Sequence, residues 1–371
     1  MWLDEFHADG LRIDAVHAIF DLGARPILRA LKEAADEVAE RRGWPAYVVA
    51  ESDLNDPKLL WPPERGGYRV DAQWSDDFHH AVHTFLTGER RGYYSDFGSA
   101  AQLARVLESP FLFAGDFSRY RQRKHGAPPL DLSGDRFVVC LQNHDQIGNR
   151  ARGERLNALL DTPAKQRLAS SLLLLSPYLP LLFMGEEYGE ESPFPFFCSF
   201  NDPQLITAVR EGRRREFPEF VETGELPDPH AVTTFSSAGL SWSWPEGSAR
   251  AAMRRLYRDL LAARRQWPAL RDFDKRSARL LDKSEEPLLE LIRGGTRPEP
   301  GQTLTAYFNL GGARRSFPDN AAHRGSLLFS SEDRRYFGER EPGTPAELLP
   351  FECVVFGPGS WLKPQADDGA R

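Results

Sequence analysis

Cysteine is scarce in this chain. The three residues Cys140, Cys198 and Cys353 are odd in number and far apart, which excludes a disulfide framework and suits a reducing compartment. Positive charge is also in short supply. Lys and Arg total 47 against 54 Asp and Glu, and the net charge of −7 argues against nucleic acid as a partner. No long hydrophobic run is present. The longest, from Leu172 to Met184, is interrupted by Pro177 and Pro180 and is too short to cross a bilayer, so no membrane partner is expected. The opening Met-Trp-Leu-Asp-Glu-Phe lacks the basic start and apolar stretch of a secretory leader, and a cytoplasmic location is the expectation. A glycine-rich phosphate loop, a Ser-His-Asp order and a Cys-His nucleophile pair are all missing. Nothing calls for a cofactor.

What is there is an alternation of short apolar strands and amphipathic helices. Leu11–Val16 reads as a buried strand after what looks like the end of a helix at 2–8. Residues 26–42 form a helical pattern, with proline near the start, apolar residues on one face and Gly43 as the stop. Ala46–Ala50 is the next strand. Strand, helix, strand within about forty residues is a βαβ unit with parallel strands. Further strands are expected at 68–74, 137–141 and 179–184, and helices at 78–86, 99–108, 163–175, 203–216 and 248–266. From about Phe273 the pattern changes to short β-like runs at 278–281, 288–292, 303–310, 326–329 and 353–356, separated by Gly- and Pro-rich turns. The expected class is α/β: five βα units over residues 1–270, then a small all-β sandwich over 271–371 with a frayed tail after Trp361.

Three of the strands are followed at once by acidic residues. Gly-Leu-Arg-Ile-Asp ends at Asp14, Val-Val-Ala-Glu-Ser-Asp carries Glu51, and Gln-Asn-His-Asp-Gln carries Asp145. Arg12, two residues before Asp14 and on the same side of the strand, would keep that carboxyl ionised and oriented. Glu51 directly follows four apolar residues, the kind of setting that lifts a carboxyl toward the range of a general acid. Polar residues packed together at a strand end, as in Asn143-His144-Asp145-Gln146, need partners, and sugar hydroxyls are suitable ones. A carboxylate nucleophile and a carboxylic acid flanking one bond are what glycoside hydrolysis requires.

Gly-Leu-Arg-Ile-Asp-Ala-Val-His, Val-Val-Ala-Glu-Ser-Asp and Gln-Asn-His-Asp-Gln resemble three of the four signature regions of the α-amylase family of glycoside hydrolases, in the family's order. The resemblance implies a TIM (β/α)8 barrel, with these regions after its fourth, fifth and seventh strands. It implies that Asp14 is the nucleophile, Glu51 the acid/base and Asp145 a transition-state stabiliser that grips ring hydroxyls. It also implies that Arg12, His17 and His144 bind substrate. Ala-Gln-Trp-Ser-Asp-Asp-Phe-His-His at 72–80 and Leu-Phe-Met-Gly-Glu-Glu at 182–187 narrow the resemblance to members acting on α-1,4-glucans that end in trehalose. There Trp74, Asp77 and Phe78 would shape the pocket, and no metal or organic cofactor is implied.

His79, His80 and His83 share one expected helix. The 79/83 pair has metal-ligand spacing, but a third ligand and the glutamate of a zinc-protease motif are missing, so no metal is expected. The family's first signature region and first three barrel strands are absent from these residues. The expectation is therefore a C-terminal portion of a longer enzyme, weakly active or inactive alone. Two other readings start from the same residues: a glucan branching enzyme or other α-glucan transferase, and a non-catalytic glucan-binding remnant.

Overall fold

The computed structural model describes residues 1–362 apart from 219, 221–223, 225, 285, 319–324 and 344, so the expected tail beyond 362 lies outside the described residues. Five parallel strands form one sheet: β1 (Gly10–Ile13), β2 (Tyr47–Ala50), β3 (Ala72–Trp74), β4 (Phe137–Cys140) and β5 (Leu179–Leu181), adjacent in that order. Gly10 pairs with Tyr47 and Ile13 with Ala50, and Trp74 pairs with Val138. Because neighbours in sequence are neighbours in the sheet and all run one way, their C-terminal ends lie along one edge. Ligands of open α/β sheets bind at that edge.

The helices lie where periodicity and caps place them. The first, Ile27–Arg42, buries Leu28 and Ala35 and ends at Gly43, whose φ of +67° accommodates the left-handed cap. The helix after β3, α2, spans Asp76–Thr87. Ala100–Glu108 starts with a reciprocal Ser99/Gln102 capping box, and Pro163–Leu175 starts at Thr162, whose hydroxyl accepts from the Lys165 amide. Pro203–Glu216 and Ala249–Gln266 complete the long helices. Gly134 is needed for close approach: a Cβ there would stand 1.9 Å from the carbonyl oxygen of Pro177.

A second sheet follows, antiparallel, ordered Ser326–Ser330, Cys353–Gly357, Leu304–Asn309, Leu288–Arg293 and Arg276–Leu280. Its central strands are buried on both faces. One face shares a continuous core with the helices of the first unit, and the other is covered by the two-stranded ribbon of Arg315–Ser316 and Glu347–Leu348. The two layers are thus unequal, five strands against two. The buried ion pair Arg167–Glu332 ties the units together, and Arg293 Nη1 donates to the carbonyls of Leu175 and Ser176 at 2.6 and 2.7 Å.

Two expectations need correction. Residues 2–8 form turns, not the end of a helix. The third strand begins at Ala72, since Arg69 at φ +61° breaks the extended run that the apolar pattern suggested from 68. Among the described residues no helix is long and apolar enough to cross a membrane.

Candidate active site

β1, β2 and β3 each contribute to one charged contact set. Arg12 Nη1 donates to Asp14 Oδ1, and its Nη2 lies 3.7 Å from Glu51 Oε2. The same guanidinium lies over the ring of Trp74, 4.5 Å from its centroid. One cation therefore joins the two carboxylates and rests on an aromatic floor. The two acids differ in setting. The Asp14 side chain is 76% exposed, open to an incoming sugar, whereas that of Glu51 is 14% exposed. Glu51 Oε2 also accepts the Ala15 amide at 2.6 Å, which fixes the carboxyl against β1.

Just beyond β2, Asp53 is ion-paired to Arg121 at 2.7 Å, and His17 Nδ1 lies 3.9 Å from its other oxygen. Burial alone would raise the Asp53 carboxyl, but Arg121, His17 and His125 outweigh it and hold it below the usual range. His17 is thereby tethered at the rim. After β4, the Asn143 side chain caps a short helix, His144–Gly148, accepting from the amides of Asp145 and Gln146 at 2.9 and 3.1 Å. The cap presents His144 and Asp145, 3.4 Å apart and both about half exposed.

The structure puts Asp77 and Phe78 to a different use from the one expected. Asp77 Oδ2 accepts from Asn55 Nδ2 at 2.7 Å and from the amides of Leu112 and Phe113 at 2.7 and 3.1 Å. Phe78 is 1% exposed and packs edge-on against Tyr178. Both are buried. The residue that the sequence alone did not single out is Asp76. It is the first residue of α2 and accepts no hydrogen bond from the described residues. Burial, then the charges of Glu51, Asp53, Asp77 and Asp145, push its carboxyl up to about 7. An acidic doublet directly after a strand was the available signal, but the phase of the helix decides which member faces outward.

A cavity of about 510 Å³ lies elsewhere, between Leu182, Trp244 and the arginines of Ala249–Gln266. Among the described residues no group of three or more His, Cys, Asp or Glu could hold a metal ion.

No family model matches. A malto-oligosyltrehalose trehalohydrolase of Saccharolobus solfataricus is 51% identical over 241 residues, 65% of this chain and 41% of that protein. One of Brevibacterium helvolum is 44% identical over 358 residues, 96% of this chain and 58% of that protein. A solved Salmonella typhimurium structure assigned by name to the alpha amylases superimposes with a TM-score of 0.77 at 34% identity, covering 96% of this chain and 58% of that one. The chain is similar, over most of its own length, to proteins named malto-oligosyltrehalose trehalohydrolase and to a solved alpha amylase. It spans about half the length of the curated relatives it matches.

Proposed function

We propose that this site hydrolyses the α-1,4-glucosidic bond next to the terminal trehalose of malto-oligosyltrehalose and releases trehalose, with retention at the anomeric carbon. The observation that carries the reading is the Arg12 guanidinium shared between Asp14 and Glu51. It bridges an exposed carboxylate and a sheltered carboxyl, which supports a retaining pair, whose two carboxyl groups must stand about 5–5.5 Å apart. In the first step the Asp14 carboxylate attacks the anomeric carbon while Glu51 gives its proton to the departing glycosidic oxygen. In the second, Glu51 takes a proton from water as that water displaces Asp14 and regenerates the free carboxylate. Asp145 accepts ring hydroxyls and steadies the oxocarbenium-like charge, with Arg12, His17, Trp74 and His144 contacting the sugar.

The open edges of β1 and β5 support the further reading that the five strands are part of a (β/α)8 barrel completed by three more βα units, with residues 271–371 as the C-terminal β domain. On that reading the 371-residue chain alone turns over little substrate.

The test is to incubate the complete gene product with malto-oligosyltrehalose and, separately, with amylose. Free trehalose supports the hydrolase, while new α-1,6 branches support a transferase instead. Absence of both, with maltodextrin still bound, would leave only a binding remnant.

A further inference from the structure

Two hydrogen-bonded links run from α2 to the two ends of the segment that carries Asp145. At the leading end, His79 Nδ1 lies 2.6 Å from the carbonyl oxygen of Leu141, and its Nε2 lies 2.8 Å from Tyr94 Oη. A carbonyl oxygen only accepts, so Nδ1 carries the hydrogen and Nε2 accepts from the Tyr94 hydroxyl. At the trailing end, Arg150 Nη1 donates to Glu89 Oε2 at 2.8 Å, and that same oxygen lies 2.8 Å from His83 Nε2. The two links are one packed block. The His83 ring stacks on Tyr94 with centroids 4.5 Å apart and planes 15° apart, and the His79 and His83 rings are 5.2 Å apart. Only residues 142–149 lie between the two attachment points, and they include Asn143, His144 and Asp145.

From this geometry we infer that His79 and His83 are positioning residues: through the Leu141 carbonyl on one side, with Tyr94 fixing the His79 ring from behind, and Glu89–Arg150 on the other, they set where Asp145 meets the sugar. The inference rests on the proposed role of Asp145. Burial pushes all three imidazoles of this helix down, His80 to about 3, which favours their neutral forms. A carboxylate displaced by a fraction of an ångström loses contacts that tighten in the transition state, so the loss falls on kcat more than on KM.

The test uses Tyr94→Phe, which keeps the stacked ring and deletes one hydroxyl, and Glu89→Gln, which weakens the other link. Each is made in the complete gene product, alone and combined with Asp145→Asn, and assayed on malto-oligosyltrehalose. The expected result is a fall in kcat of about 10-fold for each single variant, KM within about twofold, and no further fall in the Asp145→Asn background. An unchanged kcat in the single variants, or the same fall with Asp145 already removed, overturns the inference, because a purely structural role acts regardless of Asp145. Amide hydrogen exchange gives a readout independent of turnover. Tyr94→Phe should speed exchange at 143–149 and leave β2 unchanged, and unaltered exchange at 143–149 also overturns the inference. If the unmodified gene product releases no trehalose, the proposed function fails, and hydrogen exchange still decides whether the links hold this segment.

Discussion

Replacing Arg167 with methionine should destabilise the fold severely, and the geometry sets the scale. Arg167 Nε and Nη2 donate to Glu332 Oε1 at 2.9 and 2.7 Å, and Nη2 also reaches Oε2 at 2.6 Å. Both side chains are under one-tenth exposed, so little water is available to replace the lost partner. Burial, with Glu352 nearby, already pushes the Glu332 carboxyl up even with the guanidinium in place. Removing one member of such a pair costs about 3–5 kcal/mol, whereas replacing both by apolar residues of similar size is often near neutral. At a urea slope of about 3 kcal/mol/M, Arg167→Met should lower the unfolding midpoint by about 1 M or more, and Arg167→Met with Glu332→Leu should recover most of it. The sign of the pH effect is fixed too. The isolated Glu332 holds a proton in the folded state that the unfolded chain has released, so the single variant's deficit shrinks as pH falls from 8 toward 5. Tryptophan fluorescence in urea at both pH values measures this. A midpoint shift below about 0.3 M at pH 8, or a double variant no better than the single, would refute the reasoning.

Glu51→Gln should lower kcat by about 10²–10⁴-fold with folding intact, measured as trehalose release, and wild-type turnover in that variant would remove Glu51 from the chemistry. Asp76 retains its proton up to about 7 in the folded chain while the unfolded chain releases it near 3.8, so it costs stability as pH rises between those values. Asp76→Asn should therefore gain about 1–2 kcal/mol over the native chain at pH 8 and nothing at pH 4, with equal gains at both pH values counting against the assignment. Asp77→Ala strands the Asn55 amide and two backbone N–H groups and should cost about 3–5 kcal/mol in urea unfolding; a loss below about 1 kcal/mol would mean those donors find other partners.

Much of the fold is legible in the chain because local signals agree with it. Proline and glycine bracket the helix of 27–42, and Thr162 with Pro163 opens the helix of 163–175. The ends of β1, β2 and β4 are legible because polar side chains crowded directly after an apolar strand are costly to place without partners, and a binding site supplies them. The doublet Asp76–Asp77 resists such reading. Both residues have the same composition and neighbours, yet helix phase turns Asp77 inward to three donors and leaves Asp76 facing the acids. The β domain shows the same limit. Its five long strands follow from alternation, but the ribbon of 315–316 and 347–348 is too short to leave a pattern and exists through long-range pairing alone.

One side chain, Arg12, spans the ends of three strands, touching Asp14, Glu51 and the ring of Trp74. It stands on β1, which among the described residues has a hydrogen-bonded strand neighbour on one flank only. The contacts that join Asp14 to Glu51 are consequently anchored no more firmly than the outermost strand of this sheet. Fraying there separates the two acids while the cores around Leu172 and Phe308 stay folded, so in the 371-residue chain the Arg12 contacts should come apart at a lower temperature or denaturant concentration than the one that melts the chain, and further βα units flanking β1 should remove that difference.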